Sequence, residues 1–540
     1  MPDAAPKEGT AHYSLGSEAE RRSLVTSARE SKCTVLLKAH AIAASLGSWT
    51  ALSVDTAPTT LIGNPLQAVG EEPDGSLLGP TGETLSPKLA RLAVPYDTPF
   101  ECINPTLLLP FGDDPNHVEP DGLGELYSTE EQNLLGAFLS EPLWSQEDRL
   151  DARLDLLELD IAAHTSSSDR YRGSPFDPPA FRQFFSASNV QDFAMLFCRK
   201  RHYRYPVIHW PTFVLEEACL PLLMVVALTG ATYSYRPGHG PEHITEARKL
   251  YHLADSYIFY QLRAFLDRLS RAAEVDLIEA IQLCQASLLM YGLDTLLAGD
   301  SSMQRLAMTE RLPSLISAMR RLHFIGSRHE SSEDWHSFVR QEQVVRLVTW
   351  AFCVDCLATL SCNNPPIFSL LEMSGDLPCH PALWDADSES AFLSLRSSEE
   401  RRGDTDCLKS LMPKFMDDGP RENNGWEHLP LFHLHIIMCA FQPIIFNLHV
   451  TMSLPLQSER LLYTFTRWRY LWDRGMECLP SDQRQYLGIA KNIPDIEHLS
   501  RRIVEVSVSA ESDSSRYLQR VPSYSASEIH GFIQDLMTDS

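Results

Sequence analysis

The residues that could do chemistry in this chain sit mostly inside apolar sequence. Cys353-Val354-Asp355-Cys356 forms a Cys-x-x-Cys, with Cys362 after it and Cys379-His380 further on. A zinc ion needs about four thiolate or imidazole donors around one point, and these residues offer the right atoms. The pair nevertheless lies in the most apolar stretch of the chain, where helical spacing puts both thiols on one buried face. Two readings follow, a zinc site and a set of buried structural cysteines. The second is favoured because unpaired cysteine is among the most buried residue types. Asp417-Asp418-Gly419-Pro420-Arg421-Glu422 comes nearest to an aspartate-rich magnesium site, but Gly-Pro breaks the helix such a site needs, and the segment reads as a loop. There is no Gly-Lys-Ser/Thr. Gly122, Gly124, Gly238 and Gly240 lack the strand-turn-helix setting of dinucleotide binding. Neither Gly-x-Ser-x-Gly nor His-Glu-x-x-His occurs. The expectation is no catalytic residue, no metal and no cofactor in this chain, and a protein that is not an enzyme. The rival from another class is an all-α enzyme acting on an apolar substrate.

The elements that would hold these residues are helices. Residues 1–110 mix Pro, Gly, Ser, Thr and Ala with little periodicity and are expected to be largely disordered. Residues 111–170 interleave acids such as Asp148, Asp151 and Asp155 with Leu150, Leu154 and Leu157. That pattern fits either an activation-like segment that docks on coactivators as a transient helix, or an acidic linker with one helix packed on the main domain. Residues 171–510 read as helix after helix. Apolar residues recur at steps of three and four over 245–269, and 275–291 repeats the pattern, followed by 312–322. Stretch 220–228 is nearly all apolar and reads as a fully buried helix, 341–360 is apolar around most of its circumference and belongs at the centre, and 429–450, 461–472 and 484–506 add further helices. No run alternates as strands do, and no fixed period repeats. The fold class is all-α, a large irregular multi-helix regulatory domain with a disordered N-terminal region. Residues 511–540 form a Ser-rich tail, mobile to about 527, with one terminal helix over 528–537.

Composition limits what the chain can touch. Its 46 basic and 71 acidic residues leave a net charge of −25. Affinity for DNA comes chiefly from cations on phosphate, so the chain as a whole is a poor DNA binder. The best basic run, Arg199-Lys200-Arg201-His202-Tyr203-Arg204, reads as a solvated helix end rather than a nucleic-acid contact. The 12 cysteines are spread thinly over 540 residues, which fits reduced thiols inside a cell better than a disulfide framework. Residues 431–450 approach a membrane-spanning length but include His433, His435, Gln442, Pro443, Asn447 and His449. They are read as a buried helix, and no membrane partner is expected.

Several ordered segments carry a resemblance. Phe193-Ala194-Met195-Leu196-Phe197 precedes Tyr203-Arg204-Tyr205-Pro206-Val207-Ile208-His209-Trp210-Pro211-Thr212-Phe213. An apolar helix at 222–231 follows, then Ala-x-x-Leu-Tyr-x-x-Ala at 247–254. Further on come Trp335-x-x-Phe338, Glu342 and Arg346-Leu347-x-x-Trp350, then Asp355, Asn364-Pro365-Pro366 and Leu377-Pro378-Cys379 ahead of Trp384. In order and spacing these segments resemble the fungal-specific transcription factor domain, the regulatory middle domain of fungal zinc-finger and zinc-cluster transcription factors. The signature residues carried over are Phe193, Phe197, Tyr203, Pro206, His209, Pro211, Thr212, Phe213, Arg346, Asp355, Pro365, Pro366, Leu377, Pro378, Cys379 and Trp384. Pro206 and Pro211 disfavour helix and hold an extended turn, from which His209 and Phe213 plug between helices. A satisfied core histidine is the favoured reading of His209, a ligand role the alternative. Arg346 and Asp355, on an apolar helix, are expected to have buried partners.

The resemblance implies a nuclear regulator of RNA polymerase II genes that controls a metabolic or biosynthetic gene set, secondary metabolism included. Its implied partners are coactivators, a homo- or hetero-dimer and a small-molecule effector. Family members usually carry zinc fingers or a six-cysteine zinc cluster. Residues 1–170 hold only Cys33 and Cys102, from which neither module can be built, so zinc is implied only by a module not recognised here. DNA would be reached indirectly or through such a module.

Overall fold

The structure, a computed structural model, describes residues 144–538 except for short segments at 168–170, 172, 199–205, 235–241, 272–275, 294–296, 298–300, 331–333, 400–406, 418–425, 427–428, 480–486, 488–489, 491 and 510–514. The N-terminal region expected to be disordered, residues 111–143 of the acidic segment, and the basic run with Tyr203 lie outside the described residues. Of the acidic loop only Asp417 is described.

Helices make up the fold, and no strand occurs among the described residues. In chain order they are α1 (Trp144–Thr165), α2 (Pro178–Phe184), α3 (Ala187–Leu196), α4 (Leu220–Ala231), α5 (Glu242–Leu269), α6 (Leu277–Leu293), α7 (Ser301–Leu306), α8 (Leu312–Arg321), α9 (Trp335–Cys362), α10 (Pro381–Trp384), α11 (Glu389–Glu399), α12 (Leu408–Phe415), α13 (Leu431–Val450), α14 (Leu454–Cys478), α15 (Ile493–Ser507) and α16 (Ser527–Thr538).

Two helices form the axis. α9 and α13 are each long and apolar enough to cross a membrane, yet their apolar windows are 100% and 72% buried by the rest of the fold. They pack along one another; α6 and α8 pack on α9, and α14 and α15 pack on α13. The Asp334 side chain starts α9 by accepting from the Ser337 amide at 2.8 Å. Asn363 ends it in the left-handed region at φ 52°, a conformation asparagine tolerates better than most residues.

The acidic stretch closes against this body. Leu150, Leu154, Leu157 and Ile161 of α1 are buried in the main core, whereas Leu156 and Leu159 are exposed. Asp160 accepts from the Tyr257 hydroxyl at 2.9 Å. In α1, therefore, the apolar stripe is already occupied by intramolecular packing.

The Ser-rich tail departs from expectation. Residues 515–526 dock on the end of α9 rather than running free. Tyr517 is buried and its hydroxyl donates to the Leu360 carbonyl at 2.7 Å. Asn363 donates to the Tyr517 carbonyl at 2.8 Å and accepts from Arg520 at 3.0 Å. Behind them Ile529, Phe532, Ile533 and Leu536 of α16 are buried. The cause is the left-handed cap: the last carbonyls of α9 need donors, and the tail supplies them.

α3 and α4 touch backbone to backbone. A Cβ on Gly230 would lie 1.9 Å from the Phe193 carbonyl oxygen. Gly230→Ala is expected to force the helices apart and to destabilise the protein by about 1–3 kcal/mol, as overpacking does. Urea denaturation followed by circular dichroism measures it, and an unchanged midpoint would contradict the close approach.

Candidate functional site

The signature segments converge around a charge pair with no access to water. Glu342 and Arg346 lie one turn apart on α9, 0% and 2% exposed. The Arg346 Nε donates to Glu342 Oε1 at 2.5 Å, and the same oxygen accepts from the Cys379 amide at 2.9 Å. The other oxygen accepts from His329 Nε2 at 2.7 Å. Arg346 also donates to the Cys379 carbonyl at 3.0 Å and lies 4.3 Å from the centre of the Trp384 ring. His329 Nδ1 meets Asp376 Oδ2 at 3.0 Å. A carboxylate on each nitrogen favours the imidazolium form. Burial works against that charge, but the hydrogen bonds and charges of Glu342 and Asp376 outweigh it and raise the His329 pKa. Burial likewise opposes the Glu342 carboxylate, while Arg346 and His329 more than compensate and lower its pKa.

His209 reaches this cluster from the Pro-rich turn. Pro206 and Pro211 frame a short helical turn at Trp210–Thr212, where the Phe213 amide bonds to the Trp210 carbonyl. His209 is buried, bonds Thr212 Oγ1 at 2.8 Å, and packs edge-on to Trp384 at 4.8 Å and Trp335 at 6.0 Å. Phe213 is only partly buried and packs on Trp210. Leu377 and Pro378 are buried, and the Pro378 carbonyl accepts from His433 of α13 at 2.8 Å. Phe193 and Phe197 belong to the core around α2–α4 rather than to this cluster.

Asp355 serves a second junction. Its Oδ2 accepts from the Ile367 and Phe368 amides, both at 2.8 Å, and so holds the turn after Pro365 and Pro366. Its Oδ1 is buried with no hydrogen-bond partner. Burial raises the carboxyl to about 7 against the pull of those amides.

The fungal specific transcription factor domain matches residues 194–461. The chain carries that family's domain over these residues. Zinc finger protein zas1 of Schizosaccharomyces pombe is 22% identical over 259 residues, 47% of this chain and 28% of its own length. Transcription factor verF of Penicillium polonicum is 26% identical over 200 residues, 35% of this chain and 27% of its own length. The chain thus spans under a third of the length of these curated relatives. No solved structure matches.

Within the fungal transcription factor domain the cysteines do not meet as Cys-x-x-Cys suggested. Cys353 of α9 faces His435 and Cys439 of α13, and the three ligand atoms lie within 4.8 Å of one another. Cys353 and the charge of His435 draw the Cys439 thiol below its ordinary range against the effect of burial, while burial and the neighbouring sulfur hold Cys353 well up. Neither ring nitrogen of His435 has a hydrogen-bond partner. A buried polar group left unpaired costs about 1–3 kcal/mol. The readable signal was His435-x-x-x-Cys439, one helical turn inside an apolar run. His329 and Asp376 stand in loops and gave no such signal.

Two outcomes follow. Glu342→Gln leaves Arg346 and His329 short of a counter-charge and is expected to cost about 3–5 kcal/mol; the paired Glu342→Gln, Arg346→Met should recover part of it, and a double-mutant cycle in urea reads the difference. For Asp355, the folded pKa lies above the unfolded one of about 3.9, so the folded state holds the proton longer. Its contribution is full below about pH 4 and declines as pH rises through about 7. Asp355→Asn keeps an acceptor for both amides and should remove that decline, whereas Asp355→Ala should cost about 1–3 kcal/mol at every pH. Melting curves across pH 4–8 that run parallel for wild type and Asp355→Asn would refute the assignment.

Proposed function

We propose that the chain regulates transcription by RNA polymerase II, in the nucleus, and works by contact without a bond-making step. The observation that carries this reading is the family domain over residues 194–461, joined to a fold whose signature residues are engaged with one another. His209, Glu342, Arg346, Cys379 and Trp384 hold segments together in the interior, which suits a domain that transmits contacts. The net charge of −25 favours DNA being reached through a partner or a separate DNA-binding module. Coactivators, a homo- or hetero-dimer partner and a small-molecule effector are the further contacts proposed, and a metabolic or biosynthetic gene set is the proposed target.

Deletion of the gene in its own host followed by transcript profiling tests this. A coherent set of metabolic transcripts should change. The full chain tethered to an unrelated DNA-binding module should also change expression of a reporter. No altered transcript in the deletion, together with a silent tethered reporter, would end the proposal.

A further inference from the structure

We propose that Cys353, His435 and Cys439 bind one thiophilic d10 metal ion, Cu+ or Zn2+, on the seam between α9 and α13. The geometry is nearly in place. His435 and Cys439 are one turn apart on the same face of α13, and Cys353 meets them from α9, so that all three ligand atoms lie within 4.8 Å of one another. A shift of about 1 Å brings such atoms to the ~2.0–2.3 Å that nitrogen and sulfur keep from a common ion. The residues are 1%, 0% and 0% exposed.

His435 supplies the independent observation. Both of its ring nitrogens are buried without a hydrogen-bond partner, where buried polar groups are ordinarily satisfied. Its ring packs edge-on to Trp350 at 5.5 Å and near Phe432 at 6.2 Å. Those aromatics fix the imidazole without satisfying it, and an ion between the sulfurs would take one nitrogen as a ligand.

Two sulfurs and an imidazole select against hard cations that want oxygen, and for Cu+ or Zn2+. The two ions differ in what else they need. Cu+ accepts three soft donors, whereas Zn2+ wants a fourth in a closed site. Cys356 is buried one turn from Cys353 on α9 but stands outside the group of three; as the nearest further thiol on that helix it is the residue that would have to turn in for Zn2+. The proposal concerns an ion inside the regulatory domain and stands apart from the zinc of a DNA-binding module and from the regulatory reading above.

The test uses full-length protein, reduced and stripped with a chelator. It is titrated with Zn2+, and with Cu+ without oxygen, against a competing chromophoric chelator. One ion per chain is expected. Affinity should fall at least ~10-fold in Cys439→Ser and in His435→Ala and stay unchanged in Cys362→Ser, a buried thiol outside the cluster. Cys356→Ser should weaken Zn2+ and leave Cu+ unaffected, which separates the two ions. Circular dichroism establishes which variants fold. If the ligand variants do not, alkylation of the wild type decides: bound metal should protect Cys353 and Cys439 more than Cys284. The site is refuted if neither ion reaches one per chain, if binding survives in folded ligand variants, or if metal protects all buried thiols alike.

Discussion

The Glu342–Arg346 pair sets the terms for its half of the molecule. Both charges sit on a helix whose surroundings exclude water, and a buried charge is tolerable only when opposed and fully hydrogen-bonded. One arginine four residues away does not satisfy a carboxylate with two oxygens. The remaining positions are filled by His329 and the Cys379 amide, and the guanidinium takes the Cys379 carbonyl and the Trp384 face. The partners come from two other stretches of chain, His329 ahead of α9 and residues 379–384 beyond it. Satisfying one ion pair thereby dictates where the segment before α9, the segment before α10, and through Trp384 the turn at His209, must lie.

The same logic runs down the length of α9. Two turns before its end Asp355 takes the two amides that follow the Pro365–Pro366 turn. At its end Asn363 takes Tyr517 and Arg520. A helix that is apolar nearly all round has little in its side-chain pattern to define its rotation, because dispersion contacts are non-directional. Polar anchors at 342–346, 355 and 363 provide the direction, and each closes on a segment distant in sequence.

This division explains what could be read beforehand. The central helices were legible because an apolar run of that length has few alternatives, and α9 extends past 341–360 only because Asp334 caps it and Trp335 and Phe338 enter a second apolar cluster with Leu383 and Phe392. Arg346 and Asp355 were legible as residues with buried partners, since charge in an apolar helix must be opposed. Their partners were not. His329, Asp376 and the 367–368 amides lie in loops that carry no period. The docking of 515–526 was hidden for a related reason: Ser-rich composition averages over Tyr517 and Arg520, which do the anchoring. The meeting of Cys353 with His435 and Cys439 depends on the rotational setting of two helices, which a one-dimensional pattern does not encode.

The triad and the ion pair share that setting. Along α9, residues 342, 346, 350 and 353 follow one another at steps of four, four and three, which keeps them on one face. Across the seam, Phe432 sits near both Arg346 and Trp350, and His435 packs on Trp350. His433 ties the start of α13 to Pro378, the residue before Cys379. A rotation or slide of α13 on α9 that tightened the three ligands would move Phe432 and His433 together, and with them the contacts around Arg346 and the Cys379 segment. Close-packed seams resist small displacements until they shift as a unit. The buried charge cluster and the unsatisfied imidazole therefore lie on one helix–helix seam and share its aromatic contacts.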